Sequence, residues 1–62
     1  MRMMESILLT DRKGKTAELI RHPKGYRVTI WDGWSIIFRH TFLSYENAKN
    51  HLDSMKFVKK NY

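Results

Sequence analysis

The chain has 62 residues, room for one domain and no more. It contains no cysteine, which excludes disulfides and thiolate zinc sites, and its 42% of apolar residues argue for a folded core over disorder. Twelve Lys and Arg against six Asp and Glu give a net charge of +6 and a pI near 10.0, a balance that favours an anionic partner.

A domain of this size hides only about 60% of its unfolded surface, so the core needs a supplement. Eight aromatic residues (two Trp, three Tyr, three Phe) can supply it, and so can pairing into a homodimer. The N-terminal stretch offers one Arg, then only Ile7, Leu8 and Leu9 before charges resume. That is too short for a signal-peptide core or a membrane span, so no membrane association and a cytoplasmic location are expected. The lack of cysteine agrees with a reducing compartment.

The elements follow in order. Glu5 to Thr10 reads as a strand or a loose arm, closed by the polar cluster Asp11-Arg12-Lys13-Gly14-Lys15. Thr16 to Arg21 is the next strand, ending at His22-Pro23-Lys24-Gly25, where Pro presets a type I turn and Gly suits its last position. Tyr26 to Ile30 alternates apolar and polar residues as a half-buried strand does, Asp32-Gly33 marks a reversal, and Trp34 to Thr41 is the last strand.

Register follows from the apolar face, because a slip of one residue sends every side chain to the other side. The Pro23 turn pairs Arg21 with Tyr26, Leu19 with Val28 and Ala17 with Ile30. A three-residue loop, Trp31-Asp32-Gly33, pairs Ile30 with Trp34, Val28 with Ile36 and Tyr26 with Phe38, so that six large apolar side chains share one face. With Ala17, Leu19, Ile7 and Leu9 these form the expected core. The opposite face then carries Glu18, Ile20, Arg27, Thr29, Ser35, Ile37, Arg39 and Thr41, with Arg39 near the Gly25 end and Arg27 further in. Ser44 is a good N-cap, Glu46 suits the first turn, and Tyr45, Ala48, Leu52 and Met55 recur at helical spacing. The expected architecture is one α+β domain over 1–62. It is an antiparallel meander of three or four strands (5–42), a helix (44–55) packed on one face, and a basic tail (56–62) in which Phe57 folds back onto the core and the last four residues fray.

No catalytic constellation appears. The serines lie outside any strand–turn–helix elbow, the three glycines occupy separate turns, and the carboxylates are scattered. His22, His40 and His51 fall on a turn, a strand and a helix, a dispersal that suits surface or boundary positions better than metal ligation. The chain is therefore expected to be no enzyme and to carry no metal or cofactor.

Binding remains. Arg27 and Arg39 project from neighbouring strands beside the hydroxyls of Thr29, Ser35 and Thr41. A sheet face of that kind can enter a DNA major groove, with Arg reading guanine and hydroxyls touching bases or phosphates. Lys24 in the turn and the lysines of the other loop and the tail would meet phosphates, and Trp31 at the hairpin tip would stack or wedge. The plain alternative is a solvated face. A further alternative is docking on an acidic protein through Ile20, Ile37 and Trp31, as small accessory proteins of phage or plasmid origin do.

The segment Thr41-Phe42-Leu43-Ser44-Tyr45-Glu46-Asn47-Ala48, which joins three antiparallel strands to a helix, resembles the AP2-type DNA-binding domain and the arm-binding N-terminal domain of tyrosine recombinases. The resemblance spans about Lys15 to Asp53. It implies that the open sheet face sits in the major groove, with Arg27 and Arg39 as the best-matched contacts. Glu18 and Ile20 depart from that pattern, standing where it would favour DNA-contacting residues.

Overall fold

A computed structural model describes residues 6–59. Alternating apolar residues and well-placed turns build a four-stranded meander: β1 (Ser6–Thr10), β2 (Lys15–His22), β3 (Gly25–Asp32) and β4 (Ser35–Phe42). The helix α1 (Tyr45–Ser54) follows, and then a two-residue strand, β5 (Val58–Lys59). All pairings are antiparallel and the sheet order is β4-β3-β2-β1-β5, so the chain crosses the sheet through α1 to reach the far edge. Ser6–Thr10 is thus a true fourth strand, while Glu5 lies outside the described residues.

The Pro23 hairpin has the expected register, with Arg21 opposite Tyr26, Leu19 opposite Val28 and Ala17 opposite Ile30. The core is one cluster of Leu9, Ala17, Leu19, Val28 and Ile30 from the sheet under Ala48, Leu52 and Phe57, with Ile7, Tyr26, Phe38 and Phe42 packed at its margin. Ser44 caps the helix as expected, its hydroxyl accepting the Asn47 N–H at 3.1 Å. Ala48 and Leu52 face the sheet, whereas Tyr45 and Met55 remain 42% and 40% exposed. Tyr45 meets Tyr26 edge to face, with ring centroids 5.7 Å apart.

The helix ends in a Schellman turn. Phe57 N–H donates to Leu52 C=O at 3.1 Å and Lys56 N–H to Asp53 C=O at 3.0 Å. Lys56 takes the left-handed position, φ 69°, where glycine is usual. This brings Phe57 back onto Leu52, as expected of Phe57, and sends Val58 and Lys59 to pair with Thr10 and Leu9. Lys59, expected to fray, is therefore held in β5, and residues 60–62 of the expected tail lie outside the described residues.

The β3–β4 hairpin departs from expectation. Asp32 pairs with Ser35, leaving a two-residue turn of Gly33 and Trp34, with Gly33 at φ 65° in the first central position, where a type II′ turn wants glycine. Trp31 pairs with Ile36, and then a bulge leaves Ile37 without a partner, so that Ile30 meets Phe38, Val28 meets His40 and Tyr26 meets Phe42. Trp34 and Ile36 are consequently not core residues: Trp34 is 101% exposed and Ile36 50%. The reason lies in backbone pairing. The three-residue loop would leave residues 40–42 running past the start of β3 without ladder partners, whereas the bulged register pairs β4 as far as Phe42.

Candidate functional site

The helix lies over β3 and β4 on one side, and the other side of the sheet carries no described element. Cross-strand pairs share a face, so the register assigns each residue. The row through the middle of the open face is Leu8, Glu18, Thr29 and Arg39, flanked by Ile20, Arg27 and Thr41 on one side and Thr16, Trp31 and Ile36 on the other. Arg27 and Arg39 therefore stand one register step apart on adjacent strands. Their places are the reverse of those expected: Arg27 pairs with Thr41 nearer the Gly25 end, and Arg39 pairs with Thr29 further in.

The remaining expected site residues divide. Thr29 lies on the face opposite Arg39 but is only 4% exposed, so it does not present a free hydroxyl. Thr41 and Trp31 lie on the face and are half-buried, as is Ile20. Ser35 does not: its pairing with Asp32 assigns it to the helix side at the turn, because the bulge changes the parity of β4. Lys24 is exposed in the turn at the opposite end of the sheet from Trp31. Ile37 is the unpaired bulge residue, 50% exposed.

Arg27 is held at the surface by competing hydrogen bonds. Its Nε lies 3.5 Å from Thr41 Oγ1, and its Nη2 lies 2.9 Å from His22 Nε2. His22 Nδ1 also accepts the Lys24 N–H at 3.1 Å. A neutral imidazole has one acceptor nitrogen, so His22 can serve Lys24 or Arg27 but not both. The guanidinium, which only donates, is left with donors free for an incoming anion. Arg39 makes no hydrogen bond or ion pair among the described residues. Glu18 stands two strands away from it, about 10 Å at ordinary strand spacing. The one ion pair among the described residues is Lys49 Nζ to Asp53 Oδ2, 3.7 Å, on the helix.

Two features go beyond the residues expected for the site. The first is the exposed group of Trp34, Ile36 and Ile37 at the hairpin end, hidden because a bulge leaves no mark on apolar alternation. The second is the β1–β2 loop. There the Asp11 carboxylate accepts the N–H groups of Lys13 at 2.8 Å and Lys15 at 3.0 Å, and Thr10 Oγ1 accepts the Arg12 N–H at 3.0 Å. The Lys13 amide above all, then the Lys15 amide and charge, holds the Asp11 carboxyl below the usual carboxylate range. An Asp followed two residues later by a basic residue and then Gly was the available signal.

On the helix side, His51 stacks on Phe38 at 5.0 Å and leans on Phe42 at 5.3 Å, and its buried Nε2 has no partner. A groove of about 400 Å³ lies between Tyr45 and Lys49 of α1 and Ile7, Leu9 and Leu19 of the sheet. Among the described residues no group of three or more His, Asp or Glu could hold a metal ion, and no helix is long and apolar enough to cross a membrane. Compared with known proteins, the chain matches no family model, no curated sequence and no solved structure.

Proposed function

We propose that this protein is a small nucleic-acid-binding module that acts by binding, with the open face of its sheet laid against duplex DNA. The observation that carries the reading is the placement of Arg27 and Arg39 on adjacent strands of the face without a helix, around a buried Thr29 and beside Trp31. Among the described residues neither guanidinium is neutralised by a carboxylate within ion-pair distance, and His22 cannot serve both Lys24 and Arg27. Phosphate oxygens or the O6 and N7 of guanine would supply the missing acceptors. The net charge of +6 adds a long-range attraction toward a polyanion. A likeness to the AP2-type β-β-β-α domains, carried by the strand-to-helix junction at Thr41 to Ala48, agrees with this use of the sheet.

The test is a mobility-shift titration with duplex DNA at two salt concentrations. Binding should weaken steeply with salt, and Arg27→Ala with Arg39→Ala should lower the slope of log K against log salt by about 1 for each phosphate no longer neutralised. No binding at low salt, or a slope untouched by the double substitution, removes the reading.

A second reading takes the face as a docking surface for an acidic protein. Leu8 and Ile37, 41% and 50% exposed, together with Ile20 and Trp31 favour it, since they offer an apolar surface with a basic rim. A pull-down after nuclease treatment separates the two: a partner that stays bound keeps this reading, and one released with the nucleic acid removes it.

A further inference from the structure

The β1–β2 loop and the Gly33-Trp34 turn close the same end of the sheet, because alternate connections of an antiparallel meander fall together. Their centres are two strand spacings apart, about 10 Å. One of them carries charge. The Asp11 carboxylate is turned onto the backbone of Lys13 and Lys15, and Arg12 stands at φ 65°, so the loop presents the side chains of Arg12 and Lys13 to solvent while its only acid is engaged. The other carries an indole. Trp34 is 101% exposed, lifted on Gly33 with open space about it, and Ile36 and Ile37 lie half-exposed just behind. Asp32, which leads into the Gly33-Trp34 turn, stands opposite Lys15 in the ladder.

We propose that this end of the sheet is a base-stacking site for unpaired nucleotides: Trp34 takes the face of one base, and Arg12 and Lys13 take phosphates of the same strand. The proposal rests on the nucleic-acid reading and adds a substrate class, single-stranded nucleic acid, that the arginine face does not by itself demand. The occupant follows from the pairing of features. A basic loop attracts an anion, which selects a polyanion over an apolar peptide. A fully exposed indole needs a flat π-surface, and paired bases offer none except at a helix end. The 10 Å separation corresponds to roughly three nucleotides at the rise of about 3.4 Å of a stacked strand.

The experiment uses the full chain, a labelled oligothymidine of twenty nucleotides and a duplex of the same length. Trp34→Ala should weaken the oligothymidine complex about tenfold or more, as expected for one stack, and leave duplex affinity within about twofold. Trp34→Phe should restore most of it. Arg12→Ala with Lys13→Ala should lower the salt slope for the single strand by about 1.4, that is, about 0.7 for each of two phosphates. In Trp31→Phe, Trp34 is the only tryptophan, and its emission should be quenched by the oligothymidine. If the duplex binds through Arg27 and Arg39 while Trp34→Ala changes both complexes equally or neither, the stacking site is overturned and the nucleic-acid reading stands. Unquenched Trp34 emission on binding also overturns it and would leave this patch to a protein partner. If neither oligonucleotide binds, both readings fall.

Discussion

Replacing Gly25 by alanine adds a methyl group where the first residue of β3 meets the end of β4. Built on the backbone, that carbon runs into the Phe42 carbonyl oxygen and lies 3.0 Å from Phe42 C and 3.3 Å from Leu43 Cα. All three are backbone atoms, so no rotamer change relieves the clash. Gly25 also stands at φ 142°, where a side chain adds strain of about 1–3 kcal/mol. With the local pairing of Tyr26 and Phe42 pushed apart as well, the total cost is about 3 kcal/mol. A domain of 62 residues has about 3–9 kcal/mol to lose at about 0.05–0.15 kcal/mol per residue, so the variant should be close to unfolding or melt about 12–24 °C lower. Gly33→Ala is the matched control. It shares a positive φ, 65°, but meets nothing within 4 Å, and should cost about 1–2 kcal/mol. Thermal melts followed by circular dichroism compare the two. Equal melting temperatures would refute the reasoning, because Gly25 would then not lie against Phe42. The register that holds Trp34 and Ile36 out of the core would fall with it.

Two further outcomes test other parts of the fold. Lys56→Gly should raise the melting temperature by a few degrees: it removes left-handed strain of about 1–2 kcal/mol against glycine's greater unfolded freedom of about 0.5–1 kcal/mol. A lower melting temperature would mean that the helix does not end in a Schellman turn at Lys56. The Asp11 carboxyl is lowered from its ordinary value of 3.8, first by the Lys13 N–H. Its contribution to the β1–β2 loop is therefore fully present above that value and lost as pH falls through the lowered one. Amide protection at Lys13 and Lys15, measured relative to the intrinsic exchange rate at each pH, should hold from neutral pH down to the ordinary carboxylate range and be lost below it. Asp11→Asn should remove that acid transition, and a transition that persists in the variant would assign it to another carboxyl.

The site was legible only in outline. Arg27, Arg39 and Thr41 could be placed on the face opposite the helix because strand alternation assigns faces, and the bulge happens to preserve the parity of Arg39 and Thr41. The same bulge reversed the parity of Ser35 and Ile36, which stand before it in β4, and the tighter turn put Trp34 in solvent. Alternation counts residues and cannot see one that is skipped by the ladder. Thr29 reads as a free hydroxyl in the sequence because its neighbours' length across the strands, not its own type, decides that it is buried.

Sequence alone determined most of the elements: the three long strands β2, β3 and β4 from their periodicity, the Pro23 turn and its register from turn chemistry, and the Ser44-capped helix ending at Ser54, while Ser6–Thr10 stayed open between strand and arm. Each of these is decided by interactions within a few residues of chain. Tertiary structure decided the Ile37 bulge, the outward placement of Trp34, and the β5 pairing that follows Lys56. Those choices weigh backbone hydrogen bonds between distant segments against apolar burial, and the ladder prevailed because an unpaired strand end near the core costs more than an indole left in water.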